Sequence, residues 1–255
     1  MKNIKTIVIV VLLTTIILMA TDFFEFEKPN KASQYPPSLD FKAAVESAMD
    51  EILPDKVLNL LWKNTFHWLT LFESVDGFVQ TIVGTGTVTL DGNDVVLATS
   101  AVANDSVDLA KEPSWLGLAT FSQRSFMRSA VVVNSITSQE IYIKVGRSDT
   151  QGYGFKIING SLYGTTHSGT TESTVLLQTI SISTAYQLEA RYLPSDKVVF
   201  FVDTIEKGVL TTNLPSPAVT ANDKLMTLRV KTTTTAARNM QVSYFEYLQR
   251  RNILQ

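Results

Sequence analysis

The sequence predicts an all-β protein, a two-layer antiparallel sandwich of the jelly-roll type preceded by an N-terminal hydrophobic helix and a short helical segment. Three observations carry this. Short runs rich in Val, Thr and aromatic residues fill the chain from about Trp68 onward. The dipeptides at 76–77, 91–92 and 159–160 are Asp-Gly, Asp-Gly and Asn-Gly, which favour tight hairpins because both positions tolerate positive φ. No alternation of strand and helix patterns is present, which excludes a parallel α/β sheet.

The elements divide the chain into four parts. Lys2 and Lys5 precede an apolar to weakly polar run from Thr6 to Thr21, and acids follow at Asp22, Glu25 and Glu27. This order orients the N-terminus inside and the rest outside the cytoplasm. At 1.5 Å per residue the run spans about 24 Å, short of the roughly 30 Å hydrocarbon core. Ala20 suits the last position before a cleavage site and Leu18 does not, so residues 1–21 read as a signal peptide or a membrane anchor. Residues 22–37 read as a linker, with Pro36 and Pro37 semi-extended. Residues 38–64 read as helical. Ser38 is the candidate N-cap, Phe41, Ala44, Val45, Ala48, Met49 and Ile52 form one apolar stripe, and Pro54 interrupts it. That stripe either packs on the sandwich or docks a partner. Residues 65–255 form the sandwich.

Within the sandwich, Gly84 to Leu90 (GTGTVTL) alternates into the first hairpin. Gln139 to Val145 places Ile141, Ile143 and Val145 on one face and Tyr142 and Lys144 on the other. Lys197 to Asp203 (KVVFFVD) is apolar on both faces, as expected of a strand covered on two sides. Gln241 to Leu248 (QVSYFEYL) is aromatic on both faces.

Composition narrows the function. Of 255 residues, 45% are hydrophobic and 18% charged, which supports a large core. The net charge is −2 and no basic arm occurs, so no nucleic-acid partner is expected. There is no cysteine, which excludes disulfides, a thiol nucleophile and thiolate metal sites.

Five segments in order, 153–164 (YGFKIINGSLYG), 170–177 (TTESTVLL), 186–192 (YQLEARY), 197–203 (KVVFFVD) and 207–216 (KGVLTTNLPS), together with 74–78 (SVDGF) and 84–89 (GTGTVT), resemble the concanavalin A-like jelly-roll modules of structural proteins of tailed phages and related viruses. The resemblance spans about residues 66–250. It implies a virion or cell-surface structural or attachment protein, with other virion proteins or further copies of itself as partners. Two features depart from it. The hairpin after the Phe-Val strand is Asp203-Thr204 rather than Asp-Gly or Asn-Gly, so a different turn is expected there. The leader and helical segment lie outside the module.

Catalytic patterns are absent. Retaining glycosidases need two carboxyl groups about 5–5.5 Å apart, and no Glu has an Asp two positions on. His67 and His167 are the two histidines. His67 reads as a packed residue at the entry to the first strand, and His167 as an exposed residue of a Gly/Thr/Ser loop. No Gly-x-Ser-x-Gly elbow or zinc spacing accompanies them, and Gly84 and Gly86 read as hairpin glycines. A non-enzyme is therefore expected, with a glycan or cell-surface ligand. Saccharide sites combine an aromatic platform with Asp or Asn from loops. The candidates are Trp115, Tyr153, Tyr163, Asp149 and Asn159, with burial in the core the competing role for the aromatics. No cofactor is expected. Asp91, Asn93 and Asp94 offer three oxygen side chains in one turn as a weak candidate for a structural Ca²⁺.

Overall fold

The computed structural model describes residues 65–111, 121–146, 150–216 and 224–250. The leader, the linker, the helical segment, Trp115 and Asp149 lie outside the described residues. So do the anchor and docking roles read for residues 1–64.

Among the described residues, fifteen strands form two antiparallel sheets. The first sheet contains β13 (Ile205–Leu210), β12 (Lys197–Val202), β11 (Tyr186–Leu193), β6 (Ser125–Val133), β15 (Asn239–Arg250), β4 (Asp94–Ala98) and β3 (Thr87–Asp91), in that spatial order. β1 (Thr65–Thr70) pairs with the second half of β15, from Thr65 opposite Arg250 to Thr70 opposite Phe245. The second sheet runs β10 (Thr171–Thr179), β9 (Ser161–Ser168), β8 (Gly152–Ile158), β7 (Gln139–Gly146), β14 (Met226–Thr232), β5 (Ser106–Lys111) and β2 (Val79–Val83).

The inner faces meet in one apolar core. Ile141, Ile143, Val145, Tyr153, Phe155 and Ile157 face Met127, Leu188, Ala190, Tyr192, Val198 and Phe200, all buried. Phe155 meets Phe200 edge-on at 5.6 Å, and Tyr153 stacks on Tyr192 at 5.2 Å. Alternation explains most of this burial, because side chains two apart on a strand share a face.

The structure corrects four expectations and bears out one. β12 buries Val198, Phe200 and Val202, but Val199 and Phe201 are only half-buried. The outer face of its sheet is polar, and the Arg191 guanidinium lies over the Phe201 ring at 4.3 Å. Phe201 is therefore covered by an arginine rather than by a further layer. On β15 the expectation holds, with Tyr244 half-buried on one face and Phe245 and Tyr247 buried on the other, and a register shift falls between Val242 and Tyr244. The shift turns Phe245 and Tyr247 to the same interior as Val242.

The Asp76-Gly77 turn opens β2 and joins no hairpin, since β1 and β2 belong to different sheets. Gly84 and Gly86 likewise lie in the crossing from β2 to β3 between the sheets. The Asp203-Thr204 turn is not a different turn. Val202 pairs with Ile205 around two residues at φ 51° and 68°, the same positive-φ geometry that Asn159 and Gly160 adopt at 47° and 77°.

Candidate functional site

The outward positions of β14, β7, β8, β9 and β10 carry the densest polar chemistry among the described residues. Register aligns them in rows. Arg229, Tyr142, Lys156, Tyr163 and Leu176 follow one another across the five strands. The next row holds Thr227, Lys144, Gly154, Thr165 and Thr174. A third brings Gly146, Gly152, His167 and Glu172 together.

Glu172 is the hub. One carboxylate oxygen accepts from the Lys156 ammonium at 2.7 Å, and the other accepts from the Thr165 hydroxyl at 2.7 Å. His167 Nε2 stands 3.8 Å from that second oxygen. Lys156 also lies 3.9 Å from Glu140. Burial raises the Glu172 carboxyl, but donation from Lys156 and Thr165, aided by the Lys156 charge, outweighs it and holds the group below the usual carboxylate range.

Tyr142 roofs the cluster, with the ammonium groups of Lys156 and Lys144 at 4.9 and 5.5 Å from its ring centre. Burial, then the Glu140 and Glu172 charges, drive its phenol well above the ordinary range. Lys144 is fully buried and its Nζ reaches His167 Nδ1 at 2.7 Å. Beside the cluster, Arg229 clasps Asp108 through two hydrogen bonds of 2.7 and 2.6 Å.

The sequence candidates fall in different places. Tyr163 belongs to this face, half-buried between Lys156 and the exposed Leu176. Tyr153 does not. It faces inward, fully buried, with its hydroxyl 2.8 Å from that of Ser125, and so is a core residue with no ring face open to a ligand. Asn159 is a turn residue at the β8–β9 tip, and its Oδ1 accepts from the Gln139 amide at 3.4 Å. Asp91, Asn93 and Asp94 stand at the β3–β4 hairpin in the other sheet. Asp94 accepts from Gln241 Nε2 at 2.5 Å, and Asp91 and Asn93 point to solvent. Among the described residues no group of three or more His, Asp or Glu side chains is arranged to hold a metal.

His167 is the main site residue that sequence reasoning misplaced. It is buried inside β9, not in a loop, because the strand continues through Ser168 and turns only at Gly169. The available signal was the Asn159-Gly160 hairpin. Its two-residue loop fixes Lys156 opposite Tyr163 and Gly152 opposite His167.

No protein-family model matches the sequence, and no curated protein matches it either. Similar solved structures exist. A protein of unknown function from Shewanella oneidensis MR-1 has a TM-score of 0.57 at 14% identity, over 89% of this chain and 99% of that one. A structure of botulinum neurotoxin type C, described as entering cells through interaction with two ganglioside molecules, has a TM-score of 0.49 at 10% identity, over 77% of this chain and 50% of that one. A sialidase has a TM-score of 0.49 at 11% identity, over 66% of this chain and 16% of that one. The first likeness establishes the β-sandwich fold and nothing finer.

Proposed function

We propose that this chain is a non-catalytic attachment module whose β-sandwich binds a saccharide on the outer face of β10, β9, β8 and β7. The observation that carries the reading is Tyr163, standing between the Lys156–Glu172 pair and the exposed Leu176. Sugars present apolar C–H faces and hydroxyls that both donate and accept. An aromatic ring flanked by an aliphatic side chain suits the first, and an ammonium beside a carboxylate suits the second. Lys156 faces two carboxylates, Glu172 and Glu140, and this net negative charge favours a neutral sugar over a polyanion.

Display outside the cytoplasm, on a virion or a cell surface, rests on the Thr6 to Thr21 leader and on the resemblance to jelly-roll modules of viral structural proteins. The test is a glycan array probed with the full chain. Binding should be confined to a few saccharides and should fall about tenfold or more in Tyr163→Ala, with the circular dichroism spectrum unchanged. An array without signal, or Tyr163→Ala binding like the wild type, overturns the proposal. Release of reducing ends from a bound glycan would replace it with a hydrolase.

A further inference from the structure

Five strands border the two sheets among the described residues: β13, β3 and β1 in one, β10 and β2 in the other. β1 pairs with β15 alone and is half-buried from Trp68 to Thr70. A border strand offers unpaired backbone N–H and C=O groups to any passing strand, and proteins blunt such edges with charge, proline or bulges. β13 carries Glu206 and Lys207 and meets β12 across a register shift. β10 carries Glu172 and a shift between Leu176 and Gln178. β3 ends on Asp91. β2 (VQTIV) has no charge, no proline, no glycine and an unbroken register with β5. All five of its residues are exposed, Val79, Ile82 and Val83 by 40, 41 and 54%. Among the described residues only β5 pairs with it.

We propose that β2 is an interface strand that pairs antiparallel with β2 of a second copy of this chain, about a two-fold axis at Thr81. A two-fold contact requires one surface to complement itself, and this strand does. The symmetric register sets Val79 against Val83, Gln80 against Ile82 and Thr81 against Thr81. Two neutral strands meet without like-charge repulsion, and opposed Val–Val and Thr–Thr pairs are favourable across a ladder. A charged peptide would find no counter-charge along these five residues. The contact would join two seven-stranded sheets into one and leave the Tyr163 face, at the far side of the sheet, uncovered.

Because the chain has no cysteine, single thiols report the register directly. Thr81→Cys should form a disulfide-linked dimer, since residues opposed in a ladder have Cα atoms about 4.5–5.5 Å apart. Val79→Cys alone should not, because its two copies would be about 13 Å apart, whereas Val79→Cys mixed with Val83→Cys should. In sedimentation of the full chain, Thr81→Lys should weaken self-association about tenfold or more by opposing like charges. Mixing it with Thr81→Glu should restore the dimer, which shows that both variants fold. A wild type that is monomeric at tens of micromolar overturns the proposal. So does Val79→Cys alone cross-linking as readily as Thr81→Cys, or a Lys/Glu mixture that stays monomeric.

Discussion

Lys144 Nζ meets His167 Nδ1 across an intervening strand, at 2.7 Å. The two residues sit on β7 and β9, and β8 runs between them with Gly154 opposite Lys144 and Gly152 opposite His167. Two positions without side chains let the lysine lie across β8. The other ring nitrogen, Nε2, lies on the side facing Glu172.

That geometry makes Gly154 a sensitive position. Its φ is 154°, and a Cβ there would lie 2.3 Å from the Ile143 carbonyl oxygen and 2.7 Å from Lys144 Cα. Gly154→Ala should lower unfolding free energy by about 2 kcal/mol or more. Urea denaturation checks this, and a loss under about 0.5 kcal/mol would show that β8 tolerates a side chain over the lysine.

Acid should weaken the fold through Glu172. The groups around it are Lys156 on β8, Thr165 and His167 on β9, and Glu140 and Tyr142 on β7. Its carboxyl is held below the ordinary range, so its stabilisation is full above the unfolded-state value of about 4.3 and is lost as pH falls through the lower folded value. Glu172→Gln should cost about 1–3 kcal/mol at neutral pH and should flatten the decline of stability between about pH 5 and 3. An unchanged pH slope in chemical denaturation would count against this role.

Phe200 and Phe201 should differ. Phe200 is fully buried against Phe155, whereas Phe201 lies under Arg191 on the outer face. Phe200→Ala should cost about 3–5 kcal/mol, and Phe201→Ala about 1 kcal/mol, the loss of a cation–π contact and partial burial. Equal losses in thermal or urea unfolding would mean that the outer face of β12 is covered.

Thr204 holds a φ of 68°, a left-handed conformation that suits glycine and strains a β-branched residue. Thr204→Gly should stabilise by about 0.5–1 kcal/mol, the relieved strain exceeding the added freedom of the unfolded chain. A melting temperature that falls in this variant would show that the threonine is held by contacts worth more than its strain.

These residues also show where local pattern ends and tertiary register begins. The faces of β7 and β8 were legible from alternation, and the β8–β9 pairing from the Asn159-Gly160 turn. Tyr163 was legible as a candidate for the same reason. Tyr153 alternates with Phe155 and Ile157, yet only the opposing sheet decides that this set is the inner one. The meeting of Lys144 with His167 depends on how β7 connects to β8, a link that no short-range pattern specifies. Phe201 failed as a core residue because an arginine two positions along the neighbouring strand from its pairing partner, Glu189, can cover an aromatic ring as a hydrophobic layer would. The inner face of β15 moves by one position after Val242 because a bulge trades one face for the other without a glycine or proline to announce it.

The pairing of Thr65 with Arg250 brings the first and last strands of the sandwich side by side. Opposed residues in such a ladder are about 5 Å apart, so a short linker could splice residue 250 to residue 65. A circularly permuted chain beginning at Thr204 and ending at Asp203 would then keep every strand beside its present neighbours. The sandwich is in effect a ring, and an inserted domain, a reporter or a second binding unit can be spliced in at that hairpin as readily as at either terminus.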